Sequence, residues 1–143
     1  MTVRVERNGD VATIVLARPD VMNALDDATV GALDAALGDV ADARVLVMAG
    51  EGRAFSAGRD LSSATPLEED ARAILTDLFN PVILKLRNLP IPTIASVRGA
   101  ALGVGFGVAM ACDMILAGEK TRLGSPFANI GCVLDSGGHA ALV

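Results

Sequence analysis

Short runs rich in Val, Ile and Leu, each closed by a glycine or proline bend and alternating with helical patterns, constrain this chain more than anything else in it. Thr2 to Glu6 alternates in polarity and is followed by the turn signal Asn8-Gly9-Asp10 and a second apolar run, Val11 to Ala17. That pairing predicts a β-hairpin, stopped at Arg18-Pro19. A helix is expected to open between Asn23 and Asp26, with Asp26 or Asp27 as its N-terminal acid and a stripe of Ala28, Leu33, Ala36, Leu37 and Val40. Arg44 to Ala49 reads as a buried strand of an α/β layer, and Gly50 to Asp60 as a glycine-punctuated loop. Glu68 to Asn88 predicts a long amphipathic helix through Ile74, Leu75, Leu78, Val82, Ile83 and Leu86, kinked or split at Pro81 and ended by Leu89-Pro90-Ile91-Pro92. Beyond it come a strand at Thr93 to Val97, a turn at Gly99 to Gly103 and a small-residue helix from Val104 to Cys112. Strands at Asp113 to Ala117 and Thr121 to Leu123, a loop from Pro126 to Gly138 and a helix beginning at Gly138 complete the pattern. A recurring strand pair followed by a helix points to one α/β domain over residues 1–143, apparently incomplete at its C-terminus because the last helical run has no cap.

Composition narrows the chemistry. Twelve Lys and Arg against seventeen Asp and Glu leave a net charge of -5, which argues against a sequence-independent nucleic-acid binder. Only 3% of residues are aromatic, with no Trp or Tyr, so base stacking and aromatic cages have little to work with. The opening MTVRVERNGD has no apolar signal-peptide core, and the longest uncharged run, Gly99 to Cys112, is shorter than the roughly 20 residues a bilayer span needs. The expected location is the cytoplasm, without a membrane partner. Cys112 and Cys132 have no second ligand at metal spacing, so no metal site is expected; two buried free thiols are favoured over a disulfide.

No catalytic constellation stands out by residue type. His139 is the single histidine and hence the single imidazole base on offer; a solvent-exposed helix position is its simpler use. Gly103-Val104-Gly105-Phe106-Gly107 lacks the spacing of a dinucleotide-binding turn. Two glycine-bearing segments are more informative. Ala54 to Leu61 (AFSAGRDL) follows a strand and loop, and Arg98 to Gly105 (RGAALGVG) runs from a strand through glycines into a helix. Each can present a backbone N–H past small neighbours, and the second adds the positive end of a helix. Two such amides converging on one carbonyl oxygen form an oxyanion hole, each donor being worth about 2.7–4 kcal/mol of barrier. Tight helix-on-strand packing is the alternative use of the same glycines.

Four segments in register resemble the crotonase superfamily, the enoyl-CoA hydratase/isomerase family. Arg18-Pro19 with Asn23-Ala24-Leu25 is similar to its RPxxxNAL segment, and Arg53 to Leu61 to its AFxAGxDL loop. Pro90 to Gly105 is similar to its KPxIAAVxGxAxGxG segment, and Cys112 to Ala117 to its CDxxxA strand. The resemblance implies an α/β fold, a crotonase-like spiral of ββα units. It covers about the first half of a family member, so the fold is expected to be truncated before the C-terminal helices. It also implies an acyl-CoA thioester as partner, with coenzyme A part of the substrate and no separate cofactor, and assembly into trimers or pairs of trimers. Matched motif to motif, the two oxyanion donors would be the backbone N–H groups of Arg59 and Val104. Val21, Met22 and Ala24, with Ala57, Gly58, Asp60 and Leu61, would line the coenzyme A path beside Gly103.

Departures from the family pattern bear on the reaction. The two hydratase glutamates correspond to Gly107 and Phe127 here, so water addition by a two-carboxylate route is not expected. Asp135, eight residues beyond Phe127, stands where isomerases of the family place an acid; a helix N-cap is its alternative role. The segment is most similar to the epoxyphenylacetyl-CoA isomerase branch, as is Leu78-Phe79-Asn80-Pro81. A carboxyl against a wall of Phe127, Ile130 and Leu134 is expected to have a raised pKa and to shuttle a proton. The resulting expectation is an acyl-CoA isomerase. A hydratase, a non-catalytic acyl-CoA binder and a purely structural role are the alternatives.

Overall fold

The structure, a computed structural model, describes residues 1–62, 64, 68–131 and 133–142. Strand β1 (Val3–Asn8) turns at Gly9-Asp10 into β2 (Val11–Leu16), and the two pair antiparallel from Val3↔Leu16 to Asn8↔Val11. A 3-10 turn, Pro19–Val21, leads to α1 (Asp27–Asp39) and then to β3 (Val45–Gly50). Helices α2 (Ala71–Ile74) and α3 (Asn80–Arg87) flank a π-helical turn, Leu75–Phe79. Next come β4 (Thr93–Val97), β5 (Ala100–Leu102), α4 (Val104–Ala111), β6 (Met114–Ala117), β7 (Arg122–Gly124), a 3-10 turn at Pro126–Ile130, and α5 (Gly138–Ala141).

β1-β2-β3-β4-β6 form one sheet, parallel from β2 onward, and β5-β7 form a small parallel pair beside it. Leu33 and Leu37 of α1, and Val82, Ile83 and Leu86 of α3, pack with Ile14, Leu16, Leu46 and Met48 of the sheet in one buried cluster. α4 is buried along nearly its whole length because its residues are small enough to lie close to neighbouring backbone.

Several boundaries depart from the sequence reading for physical reasons. α1 begins at Asp27 because the Asp26 carboxylate accepts the Thr29 N–H at 2.8 Å; Thr29 and Val30 face the core while Ala28 is exposed. The long helix starts at Ala71, where Asp70 Oδ1 accepts the amides of Arg72 and Ala73 at 2.9 and 3.2 Å. Pro81 does not split it. The ring removes one backbone donor, and the preceding turn widens so that the Asn80 N–H reaches the Leu75 carbonyl, five residues back. Gly99 to Gly103 is more than a turn, because Ala100–Leu102 pairs with β7 and Ala101 bridges to Ser56. Asp113 closes the CD segment: its carboxylate accepts the Thr93 N–H and hydroxyl at 2.8 and 3.0 Å. Cys112 is buried and burial pushes its thiol up to about 12; Cys132 lies outside the described residues.

One side chain ties together the loops that will carry the site. Asn23, 1% exposed and in a left-handed conformation (φ 55°), accepts the Arg18 N–H through Oδ1 at 2.8 Å. Its Nδ2 donates to the carbonyls of Glu51 and Ala54 at 2.9 and 2.8 Å, and its own carbonyl accepts the Ser56 hydroxyl at 2.8 Å. Asn23→Ala strands buried backbone groups at several points and is expected to cost at least about 2 kcal/mol, read from urea unfolding.

Candidate active site

Two bends meet edge to edge. In the first, Ser56 bridges Ala101: its N–H donates to the Ala100 carbonyl and its carbonyl accepts the Leu102 N–H, both at 3.0 Å. Three residues on, Arg59 bridges Leu25. The Leu25 N–H donates to the Gly58 carbonyl at 2.8 Å, and the Asp60 N–H donates to the Leu25 carbonyl at 2.9 Å. In a parallel bridge of this kind the middle residue turns its own N–H to the opposite side. Among the described residues the Arg59 N–H meets no protein acceptor. In the second bend, Gly103 (φ 53°, ψ −128°) places Val104 at the first position of α4, where the amide has no carbonyl four residues back within the helix and no side-chain cap replaces it.

Glycines set how closely these bends approach. At Gly58 (φ 95°) a Cβ would stand 2.7 Å from the Leu102 carbonyl oxygen, and at Gly105 it would stand 2.6 Å from both Cβ and Oγ of Ser56. Ser56 Oγ in turn accepts the Gly58 N–H at 3.1 Å. The same serine therefore fixes the first bend from inside and forms the surface on which the first turn of α4 rests.

Arg59 and Val104 line one cavity of about 450 Å³ together with Ala57, Gly58, Leu61, Gly103, Phe127 and Asp135. Burial pushes the Asp135 carboxyl above its ordinary range, opposed by a 2.7 Å hydrogen bond donated by the Ser136 hydroxyl. The side chain of Asp135 caps no helix: α5 has Gly137 at its N-cap position and no side-chain cap bond. His139 lies exposed on α5, apart from the cavity.

Among the described residues, Leu134 and four residues expected along the coenzyme A path, Val21, Met22, Ala24 and Asp60, are not among those lining this cavity. Val21 is exposed on the 3-10 turn, and the Met22 carbonyl accepts the Ala57 N–H at 2.9 Å. Ala24 is buried, with its carbonyl taken by Arg18 at 2.6 Å. Asp60 is held below the ordinary carboxylate range by the Ser62 N–H at 3.0 Å and by Arg18, which also pairs with Asp26. Met22, Ala24 and Asp60 thus brace the Ala57–Leu61 segment from behind. Leu134 wedges against Gly138 of α5, and the Ile130 side chain lies outside what the structure describes. Phe127 is joined in the apolar wall by Ile74, Leu75 and Phe79 of the widened helix, with Ala71, Pro126 and Asn129 also lining the cavity. The signal for it was Leu78-Phe79-Asn80-Pro81: the proline forces the wide turn that presents Leu75 and Phe79.

Two changes are predicted here. Gly58→Ala puts a methyl on a carbonyl oxygen in a strained φ region, and is expected to lower stability by more than about 1 kcal/mol in urea unfolding. For Asp135 the folded-state pKa is raised, so its stabilising contribution is present below the unfolded carboxyl value and is lost as pH rises through the raised value. Asp135→Asn is therefore expected to be more stable than the parent at pH 7, with the difference closing below about pH 4 in parallel urea titrations.

The comparisons with known proteins agree on one ancestry. The sequence model of the enoyl-CoA hydratase/isomerase family matches residues 6–143. The chain is 36% identical over 138 residues to a probable enoyl-CoA hydratase of Rhodobacter capsulatus, covering 96% of this chain and 54% of that relative. It is 36% identical over 143 residues to the 2,3-dehydroadipyl-CoA hydratase of Escherichia coli, covering 97% of this chain and 55% of that protein. A crystal structure described as an enoyl-CoA hydratase subunit from Geobacillus kaustophilus superimposes with a TM-score of 0.88 at 34% identity, over 99% of this chain and 56% of that one. The chain spans about half the length of the curated relatives it matches. With the spiral of strand pairs and helices and both glycine bends on the same frame, this chain belongs to the enoyl-CoA hydratase/isomerase family.

Proposed function

We propose that the chain acts on an acyl-CoA thioester as an isomerase. The observation that supports this reading is that Arg59, Val104 and Asp135 line one largely apolar cavity, Asp135 being the carboxyl among its described lining residues. The thioester oxygen accepts hydrogen bonds from the Arg59 and Val104 amides, which stabilises the enolate formed when an α proton leaves. The Asp135 carboxylate takes that proton and returns it to the γ carbon, so that a 3-enoyl thioester becomes its conjugated 2-enoyl isomer with no change in composition. Proton transfer of this kind requires neither a metal nor a redox cofactor, and coenzyme A enters as part of the substrate. The apolar wall of Ile74, Leu75, Phe79 and Phe127 suits an alkyl or aromatic acyl group.

A hydratase is the second reading, favoured by the names of the similar proteins. Against it stands the absence of a carboxylate at the two positions the resemblance assigns to the hydratase acids, Gly107 and Phe127. A trimer or pair of trimers in the cytoplasm accompanies the proposal. No helix among the described residues is long and apolar enough to cross a membrane.

Mixing the protein with a 3-enoyl-CoA is expected to produce conjugated thioester absorbance, while a 2-enoyl-CoA gives no hydration. Asp135→Asn is expected to lose at least about 100-fold in kcat. The parent kcat/KM is expected to rise with pH along an acidic limb above the ordinary carboxylate range, since the carboxyl must be ionised to accept the proton. Unchanged turnover in Asp135→Asn removes that residue from the role. Coenzyme A affinity with no turnover of any enoyl-CoA assigns the chain to acyl-CoA binding alone.

A further inference from the structure

Ser136 combines features that an ordinary loop serine does not. It is buried, yet it adopts a left-handed backbone conformation (φ 53°) that a residue with a Cβ takes only under constraint. Its neighbour Gly137 is also left-handed (φ 78°) and leads directly into α5. The Ser136 side chain rests on α4 at Gly107, where an added Cβ would stand 2.5 Å from Ser136 Cβ and 2.9 Å from the Ser136 carbonyl oxygen. From this seat the hydroxyl donates to Asp135 Oδ1 at 2.7 Å, a length typical of a charge-assisted bond to a carboxylate.

The surroundings of that carboxyl contain little else that is polar. Among the described residues lining the cavity, the charged groups are Asp135 itself and Arg59, whose guanidinium is paired with Glu69 at 2.8 Å. The 3-10 turn contributes Phe127 and Asn129, the long helix contributes Ala71, Ile74, Leu75 and Phe79, and α4 contributes Val104, none of them charged. On α5, His139 is exposed. The Ser136 hydroxyl is the side-chain hydrogen bond found on the Asp135 carboxylate among the described residues.

We propose that Ser136 is a positioning residue: locked between its left-handed turn and Gly107, it aims its hydroxyl at one oxygen of Asp135 and leaves the other oxygen to receive and return the substrate proton. The inference rests on Asp135 being the proton carrier. The hydroxyl orients the carboxylate and favours its ionised form; an apolar wall alone would hold the acid protonated and unable to accept a proton.

The left-handed backbone supplies its own control. Ser136→Gly removes the hydroxyl and relieves the backbone constraint, whereas Ser136→Ala removes the hydroxyl and keeps it. If Ser136 served only the turn, the glycine variant would behave as the parent. If its hydroxyl positions the acid, both variants change in the same direction. Asp135 is followed in the free protein by carboxyl 13C NMR titration, and kcat/KM on a 3-enoyl-CoA is followed against pH. In both variants the Asp135 titration is expected to move up by roughly one pH unit, and kcat/KM below the acidic limb to fall by about tenfold. Ser136→Thr, tested alongside, retains the donor and is expected to recover part of the titration shift in whatever fraction folds. An Asp135 titration unmoved in both Ser136→Ala and Ser136→Gly overturns the proposal, even if Asp135→Asn is inactive. A moved titration with full turnover in Asp135→Asn instead overturns the proton-carrier reading, and with it the positioning role.

Discussion

The structure depends on one close approach: the Ser56 turn pressed against the first turn of α4 at Gly105, with Gly58 stacked under the Leu102 carbonyl. No side chain could be inserted at either glycine without moving backbone. That contact is held from three sides. Asn23 anchors the Ser56 hydroxyl and the Ala54 carbonyl, the Ser56–Ala101 bridge fixes the bend to β5, and β5 is in turn paired with β7. The two amides left over, at Arg59 and Val104, are consequences of this arrangement. One is turned outward by the Leu25 bridge, and the other begins a helix whose cap position is a glycine. A pair of donors made this way needs no reorganisation when negative charge develops nearby, which is the condition under which backbone hydrogen bonds contribute most to lowering a barrier.

The proposed site uses backbone alone, so the side chains of Arg59 and Val104 are left to other contacts. Val104 contributes an amide and a patch of apolar wall. Arg59 sends its guanidinium away to Glu69, just ahead of the Asp70 cap that starts α2. The loop bearing one donor is thereby linked to the helix whose widened turn supplies Leu75 and Phe79 to the cavity. Partly exposed pairs of this kind contribute little to global stability, so the linkage matters for where the helix begins and less for how tightly the domain folds.

The sheet and its helices were legible from local signals because their determinants are local: a Gly-Asp turn in the hairpin, an Asp cap on α1, a proline after Leu78. The strand at Ala100–Leu102 was read as a turn because its pairing partners, Ser56 and Arg122–Gly124, lie far along the chain. The proposed donor positions rest on motif resemblance, since glycine spacing alone equally describes tight packing. Val21, Met22, Ala24 and Asp60 share their motifs with residues that line the cavity, while Met22, Ala24 and Asp60 brace the bend and Val21 is exposed, a distinction that only the hydrogen-bond pattern and burial make visible. Leu134, expected in the wall, is not among the cavity's lining residues, and Phe79, given no role by the sequence, is, for a similar reason. Both are apolar and near the acid or the cavity, but α5 packs over Leu134, while the π turn brings Phe79 inward.

The missing carboxylate at Gly107 is built into the packing. Ser136 Cβ occupies the position a Gly107 side chain would need to leave α4, and Ser136 is the residue hydrogen-bonded to Asp135. An acid projecting from the α4 position and the left-handed Ser136 turn are therefore competing solutions for one volume. Installing the first displaces the second and releases the Asp135 carboxyl from its donor. A side chain at Gly107 therefore requires the turn carrying Asp135 to be rebuilt at the same time. Backbone conformation at Ser136 and Gly137 thus decides which side chains this corner of the fold can hold as much as residue type does.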